Sequence, residues 1–156
     1  MSTQPSADGI FTTSRLFPFT PAQVFAAFAD AERLATWWGP DGFSNTFEVF
    51  EFKPHGQWTF VMHGPDGTHY ANDCTFLEAS PQRIVIRHVA APHFTLTITL
   101  AEADGHTRLD WRQAFDDPRV AAAVAPIVGP ANEQNLNRLQ AVLLAGVTSP
   151  ASQAEP

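Results

Sequence analysis

Between Phe43 and Phe115 the chain is cut into short stretches of alternating side chains, each closed by turn-forming residues, and this texture limits the fold more than any other feature. The stretches are Phe43 to Phe52, Gln57 to His63, His69 to Ala79, Arg83 to Val89, His93 to Leu100 and Thr107 to Phe115. Between them lie Pro54-His55-Gly56, Gly64-Pro65-Asp66-Gly67, Ser80-Pro81, Ala90-Ala91-Pro92 and Asp104-Gly105. They read as six strands joined in a meander. Trp58, Phe60 and Met62 fall on one face, as do Phe94, Leu96, Ile98 and Leu100, whereas Thr95, Thr97 and Thr99 fall on the other. Leu109, Trp111 and Phe115 alternate with Arg108, Asp110 and Arg112. One face is therefore buried and aromatic, and the other is wet.

The flanks have helical period. Ile10 to Phe17 reads as a further strand, ended by Pro18, after which Thr20 supplies an N-cap and Pro21 a first helical position. Val24, Phe25 and Phe28 make one apolar stripe, and Asp30 caps a second short helix through Leu34, Trp37 and Trp38. Past Asp116, Val120, Val124, Ile127 and Val128 and then Leu136, Leu139, Val142 and Leu143 recur at helical steps. Pro126 and Gly129-Pro130 predict an interruption, giving a short helix over 117–125 and a main helix from about Pro130 to Ala145. The order is α+β, with about seven strands. At 156 residues one domain is expected over residues 10–146, between flexible tails at 1–9 and 147–156.

Thirteen Phe and four Trp against one Tyr favour an interior of large apolar rings, which suits an apolar cavity. A net charge of −7 with nine Lys plus Arg argues against nucleic acid, whose binding draws on cationic side chains. No apolar run approaches the roughly eighteen residues that span a bilayer, so no membrane partner is expected. Cys74 is the lone cysteine, and Met1 to Gly9 has neither an apolar nor a basic leader, which predicts a cytoplasmic protein.

Two segments carry a family resemblance. FADAERLATWWGPDGF (Phe28 to Phe43) and FKPHGQWTFVMHGPDGTHY (Phe52 to Tyr70) resemble the second helix with its Trp-Trp-Gly-Pro corner and the hairpin of the activator of Hsp90 ATPase homologue family (AHSA1-like), within the START/SRPBCC superfamily. EASPQRIVIRH and GHTRLDW fit its later strands. The resemblance extends over roughly Phe11 to Leu144. It implies a helix-grip fold: a curved antiparallel sheet wrapped around a long C-terminal helix, with two short helices after the first strand and a cavity between sheet and helix. This chain departs from the family at Gly129-Pro130-Ala131-Asn132, where relatives often have Gly-Trp, and at His55, where the first of two hairpin glycines is usual.

The cavity-lining candidates are Trp37, Trp38, Trp58, Phe60, Met62, Phe94, Leu96, Trp111 and Phe115 among the apolar residues, with Leu136 and Leu139 from the last helix. Asp73 and Asn132 are the polar candidates. Each also has a plainer role, as a core ring or a solvated carboxylate. No catalytic motif is recognisable: there is no GxSxG, Gly-rich phosphate loop, HExxH or CxxC, and Cys74 has no activating base in sequence. His63 with His69 and His88 with His93 flank turns, but no metal is expected, nor any cofactor. The expected function is binding of a small apolar or aromatic molecule. The alternatives are a cavity enzyme of the polyketide cyclase/aromatase or hydratase type, and a chaperone-associated module. A homodimer is open, since no residue locates an interface.

Overall fold

The alternating segments pair with their neighbours in sequence to form one curved antiparallel sheet, in a computed structural model that describes residues 4–148. Residues 1–3 and 149–156, which fall within the two expected tails, lie outside the described residues. The strands are β1 (Ile10–Phe17), β2 (Ser44–Phe50), β3 (Gln57–His63), β4 (His69–Ser80), β5 (Arg83–His88), β6 (Phe94–Ala103) and β7 (His106–Phe115). Their order is β1-β7-β6-β5-β4-β3-β2, so the first strand closes onto the last and lies at the opposite edge from β2. Register sets the faces: Ile98 lies opposite Trp111 and Leu96 opposite Gln113, which puts these residues on the concave side together.

Two helices cover one end of that concave face. α1 (Pro21–Ala29) begins in a capping box, with Thr20 Oγ1 accepting from Gln23 N at 3.2 Å and Gln23 Oε1 accepting from Thr20 N at 2.8 Å. α2 (Ala31–Trp37) starts at Asp30, whose carboxylate accepts from Glu32 N. The Trp37 indole donates to the Ala27 carbonyl at 3.0 Å and pins the second helix to the first. Phe17, Val24, Phe28, Trp37, Trp58, Phe60, Phe76, Ile98 and Leu109 join the main core. Each large side chain so buried stabilises the fold by about 1.5–3 kcal/mol.

The last helix differs from its expected form. α3 runs unbroken from Pro118 to Thr148, with Pro126 and Pro130 inside it. Each proline lacks the N–H that would bond the carbonyl four residues back, at Ala122 and Pro126. Ala122, Pro126 and Pro130 are all exposed, so water can meet the freed carbonyls. The inward stripe of Ala121, Ala125, Gly129, Leu136, Leu139 and Leu143 is buried throughout and holds the helix to the sheet across both prolines. Phe11 and Phe115 pack with Ala121 and Ala125 in a second cluster. Among the described residues no helix is long and apolar enough to cross a membrane.

Candidate functional site

The two halves of α3 treat the concave face differently. Leu136, Leu139 and Leu143 fill it, whereas Val128, Ala131 and Asn132 border open space. A cavity of about 510 Å³ remains beneath the first half. Trp38, Gly39, Pro40 and Phe43 wall it at the corner after α2; Met62, Phe94, Leu96, Trp111 and Gln113 line it from the sheet. Tyr70, Ala71, Asn72, His88, Ala91 and Pro92 complete one side, and Ile127, Val128, Ala131, Asn132 and Asn135 form the helical wall. Tyr70, Ala91 and Ile127 are exposed, which places the mouth at that end. None of the lining residues is Lys, Arg, Asp or Glu.

The corner is held from the helix. Arg138 Nη1 donates to the Trp38, Gly39 and Pro40 carbonyls at 3.2, 3.0 and 2.8 Å, and Nη2 donates to the Thr36 and Phe43 carbonyls at 3.0 and 2.8 Å. Burial lowers the Arg138 pKa from its ordinary value, and the charge of Asp41 opposes that. Asn135 Nδ2 donates to the Trp37 carbonyl at 2.9 Å, and Asn45 Nδ2 donates to the Ala35 and Trp38 carbonyls. Gly39 sits at φ +99°, and a Cβ there would fall 2.7 Å from Met62 Cε. The positive φ is what favours glycine here, since the Met62 methyl is the free end of a flexible side chain that could give way.

Several polar groups interrupt the apolar wall. His88 Nδ1 lies 2.8 and 2.9 Å from the carbonyls of Ala90 and Pro92, so Nδ1 carries a hydrogen, and Nε2 lies 2.8 Å from Asn72 Oδ1. The imidazole stacks on Phe94 with centroids 4.7 Å apart. Asn132 Nδ2 donates to Gln113 Oε1 at 3.0 Å. Trp111 Nε1 is buried with no partner among the described residues.

Of the residues singled out from sequence, Trp38, Met62, Phe94, Leu96, Trp111 and Asn132 meet at the cavity. The others lie elsewhere, each for a physical reason. Trp37, Trp58 and Phe60 are fully enclosed in the core, where Trp58 stacks between Phe60 and Phe76 at 4.3 and 5.5 Å. Leu136 and Leu139 sit one and two turns too far along α3 and fill space. Phe115 packs edge-on to Phe11 in the second cluster. Asp73 faces the exposed side of β4 and accepts from Thr59 Oγ1 at 3.2 Å. Its neighbour Cys74 points inward, and burial, with the Asp73 charge adding, pushes its thiol up to about 12. That thiol stays protonated. His63 and His69 meet each other at 2.7 Å on the sheet surface, whereas His88 turns inward, away from exposed His93. Gln113, His88, Asn72 and Tyr70 were not singled out for the cavity. The signal for Gln113 was its inward position in the alternation of Leu109, Trp111 and Phe115.

A curved antiparallel sheet gripping a long C-terminal helix is the helix-grip fold. Within that fold class the chain belongs to the family described as Activator of Hsp90 ATPase homolog 1-like protein, whose model matches residues 18–143. Solved structures agree on the fold. A protein from Arthrobacter aurescens superposes with a TM-score of 0.83 at 22% identity, covering 97% of this chain and 94% of its own. One from Nitrosomonas europaea gives 0.80 at 19% identity, over 89% and 96% of the two chains. A protein from Rhodobacter sphaeroides gives 0.79 at 26% identity, over 90% and 95%. No curated protein matches the chain.

Proposed function

We propose that this protein binds a small apolar or aromatic molecule in the cavity beneath the first half of α3. The observation that carries this is the cavity itself, about 510 Å³ walled by Trp38, Phe43, Phe94 and Trp111. That volume falls within the range of small-molecule sites, and aromatic walls with a few polar groups are their usual chemistry. A folded-state ligand at a hundred times its Kd should raise the melting temperature by about 5–10 °C in a domain of this size. A panel of sterols, lipids, polyketides and aromatic metabolites tests this, with an Ala131→Phe variant that places a ring in the cavity. At least one compound should raise the melting temperature of the native chain and not of the variant. A panel with no response, or equal responses from both proteins, would contradict the proposal.

A catalytic reading rests on His88, whose Nδ1–H is anchored by two carbonyls while the ring borders the cavity. Cyclase- or hydratase-type turnover of a bound compound, abolished in His88→Gln while binding persists, would favour it over simple binding. Activation of an Hsp90 ATPase is supported by the family's description alone.

A further inference from the structure

Gln113 is a polar residue buried on the face of the sheet that borders the cavity. On the inward face of β7 it follows Leu109 and Trp111 and precedes Phe115, and at 7% exposure it is as enclosed as an apolar residue would be. A carboxamide has two N–H donors and a carbonyl acceptor, and burying them without partners is unfavourable. Gln113 has one protein partner among the described residues, the Asn132 amide 3.0 Å away on α3. The Gln113 nitrogen and the Asn132 oxygen then have no hydrogen-bond partner among those residues. Reversing both amides leaves the same result, because a joined pair always retains one free carbonyl and free N–H hydrogens. Both side chains line the cavity, as does Trp111, whose indole N–H is also unpartnered.

Charge narrows the occupant further. A ligand carboxylate or ammonium would enter a wall with no Lys, Arg, Asp or Glu to pair with it, and His88, the imidazole in that wall, has both ring nitrogens engaged by protein oxygens; an unpaired buried charge is strongly disfavoured. The aromatic remainder of the wall suits the body of a flat ligand. Resting on the binding function proposed above, we infer that the occupant is an uncharged aromatic molecule bearing a carboxamide or lactam, read by the Gln113–Asn132 pair. The ligand N–H meets the free amide oxygen, and the ligand carbonyl meets the free amide hydrogen. The rings lie against Trp38, Phe94 and Trp111.

Three probes of equal ring size separate the terms: naphthalene, 2-naphthamide and 2-naphthoate. Fluorescence of the cavity tryptophans reports binding of each. The carboxamide should bind about tenfold tighter than naphthalene, as expected for two neutral hydrogen bonds, and the carboxylate should bind most weakly. In Gln113→Leu/Asn132→Leu both partners become apolar together, a change that leaves no half-broken pair, and the tenfold preference should fall to about one. Asn132→Ala alone, at a half-buried helical position, should reduce it to about threefold and serves if the double variant does not fold. Equal affinity for naphthalene and its carboxamide, a preference for the carboxylate, or an undiminished preference in folded variants would overturn this assignment while leaving the cavity a binding site. Failure of all three probes to bind would overturn both.

Discussion

Arg87 and Asp116 join β5 to the chain just beyond β7 through a two-pronged contact, Nη1 to Oδ1 and Nη2 to Oδ2, each at 2.7 Å. The hydrogen bonds from Arg87 hold the Asp116 carboxyl below its ordinary pKa, burial opposes them, and the Arg87 and His93 charges add to the lowering. A carboxyl whose folded pKa is lowered binds its proton more readily in the unfolded chain. Its stabilisation is therefore present above the unfolded value of about 3.9 and is lost as pH falls through the folded one. The melting temperature of the native chain should exceed that of Asp116→Asn at pH 7, and the gap should close as pH is lowered through the acid range. The gap should be modest, because the pair is solvent-exposed. A gap that persists unchanged at the lowest pH would assign the effect to something other than the carboxylate. At this scale the sequence was only partly legible. The inward alternation of Trp58, Phe60 and Trp111 could be read directly, but which rings border empty space could not, because a cavity is what is left when several elements meet. His55 shows the same limit: its backbone adopts φ +67°, the left-handed region, and its N–H donates to the Phe76 carbonyl at 2.6 Å. The family resemblance marked this as a glycine position, but sequence could not show that the turn would keep its geometry with a side chain in place.

Among the elements, strands and caps were readable because they depend on neighbours in sequence. Thr20 with Gln23, and Asp30 before Glu32, form the caps that their spacing predicts. The continuity of α3 was not readable, since Pro126 and Pro130 are local helix breakers while the buried stripe through Ala121, Ala125 and Gly129 is a tertiary effect. The cavity follows from that continuity. Had the helix been interrupted between Ala125 and Pro130, Ile127 and Val128 would not stand in one helical wall with Ala131 and Asn132. The corner after α2 depends on Arg138 in the same way, with five carbonyls turned to one guanidinium. Lysine has a point charge and no planar fork, so Arg138→Lys should strand several of these acceptors. The expected loss is about 2 kcal/mol in denaturant unfolding, accompanied by weaker binding of any ligand that touches Trp38. Loss of stability with unaltered binding would mean that the corner keeps its shape without the guanidinium.

For the whole molecule, the fold places solid core and open space side by side, and the four tryptophans divide between them. Trp37 and Trp58 are wholly buried in the core, whereas Trp38 and Trp111 line the cavity. Met62 lines it too, held close to Gly39. The helix-grip architecture was legible because the meander and the Trp-Trp-Gly-Pro corner both point to it. The ligand was not legible, because fold does not imply function and specificity lies in the few polar groups of the wall. The most direct test of the cavity as a binding site is a set of intermolecular nuclear Overhauser effects, recorded on the isotope-labelled chain with naphthalene as probe. The account predicts contacts from the probe's protons to the Met62 methyl group and to the rings of Trp38 and Trp111, with none to Trp37 or Trp58. Contacts confined to the outer face of the sheet, or none anywhere at saturating probe, would contradict it.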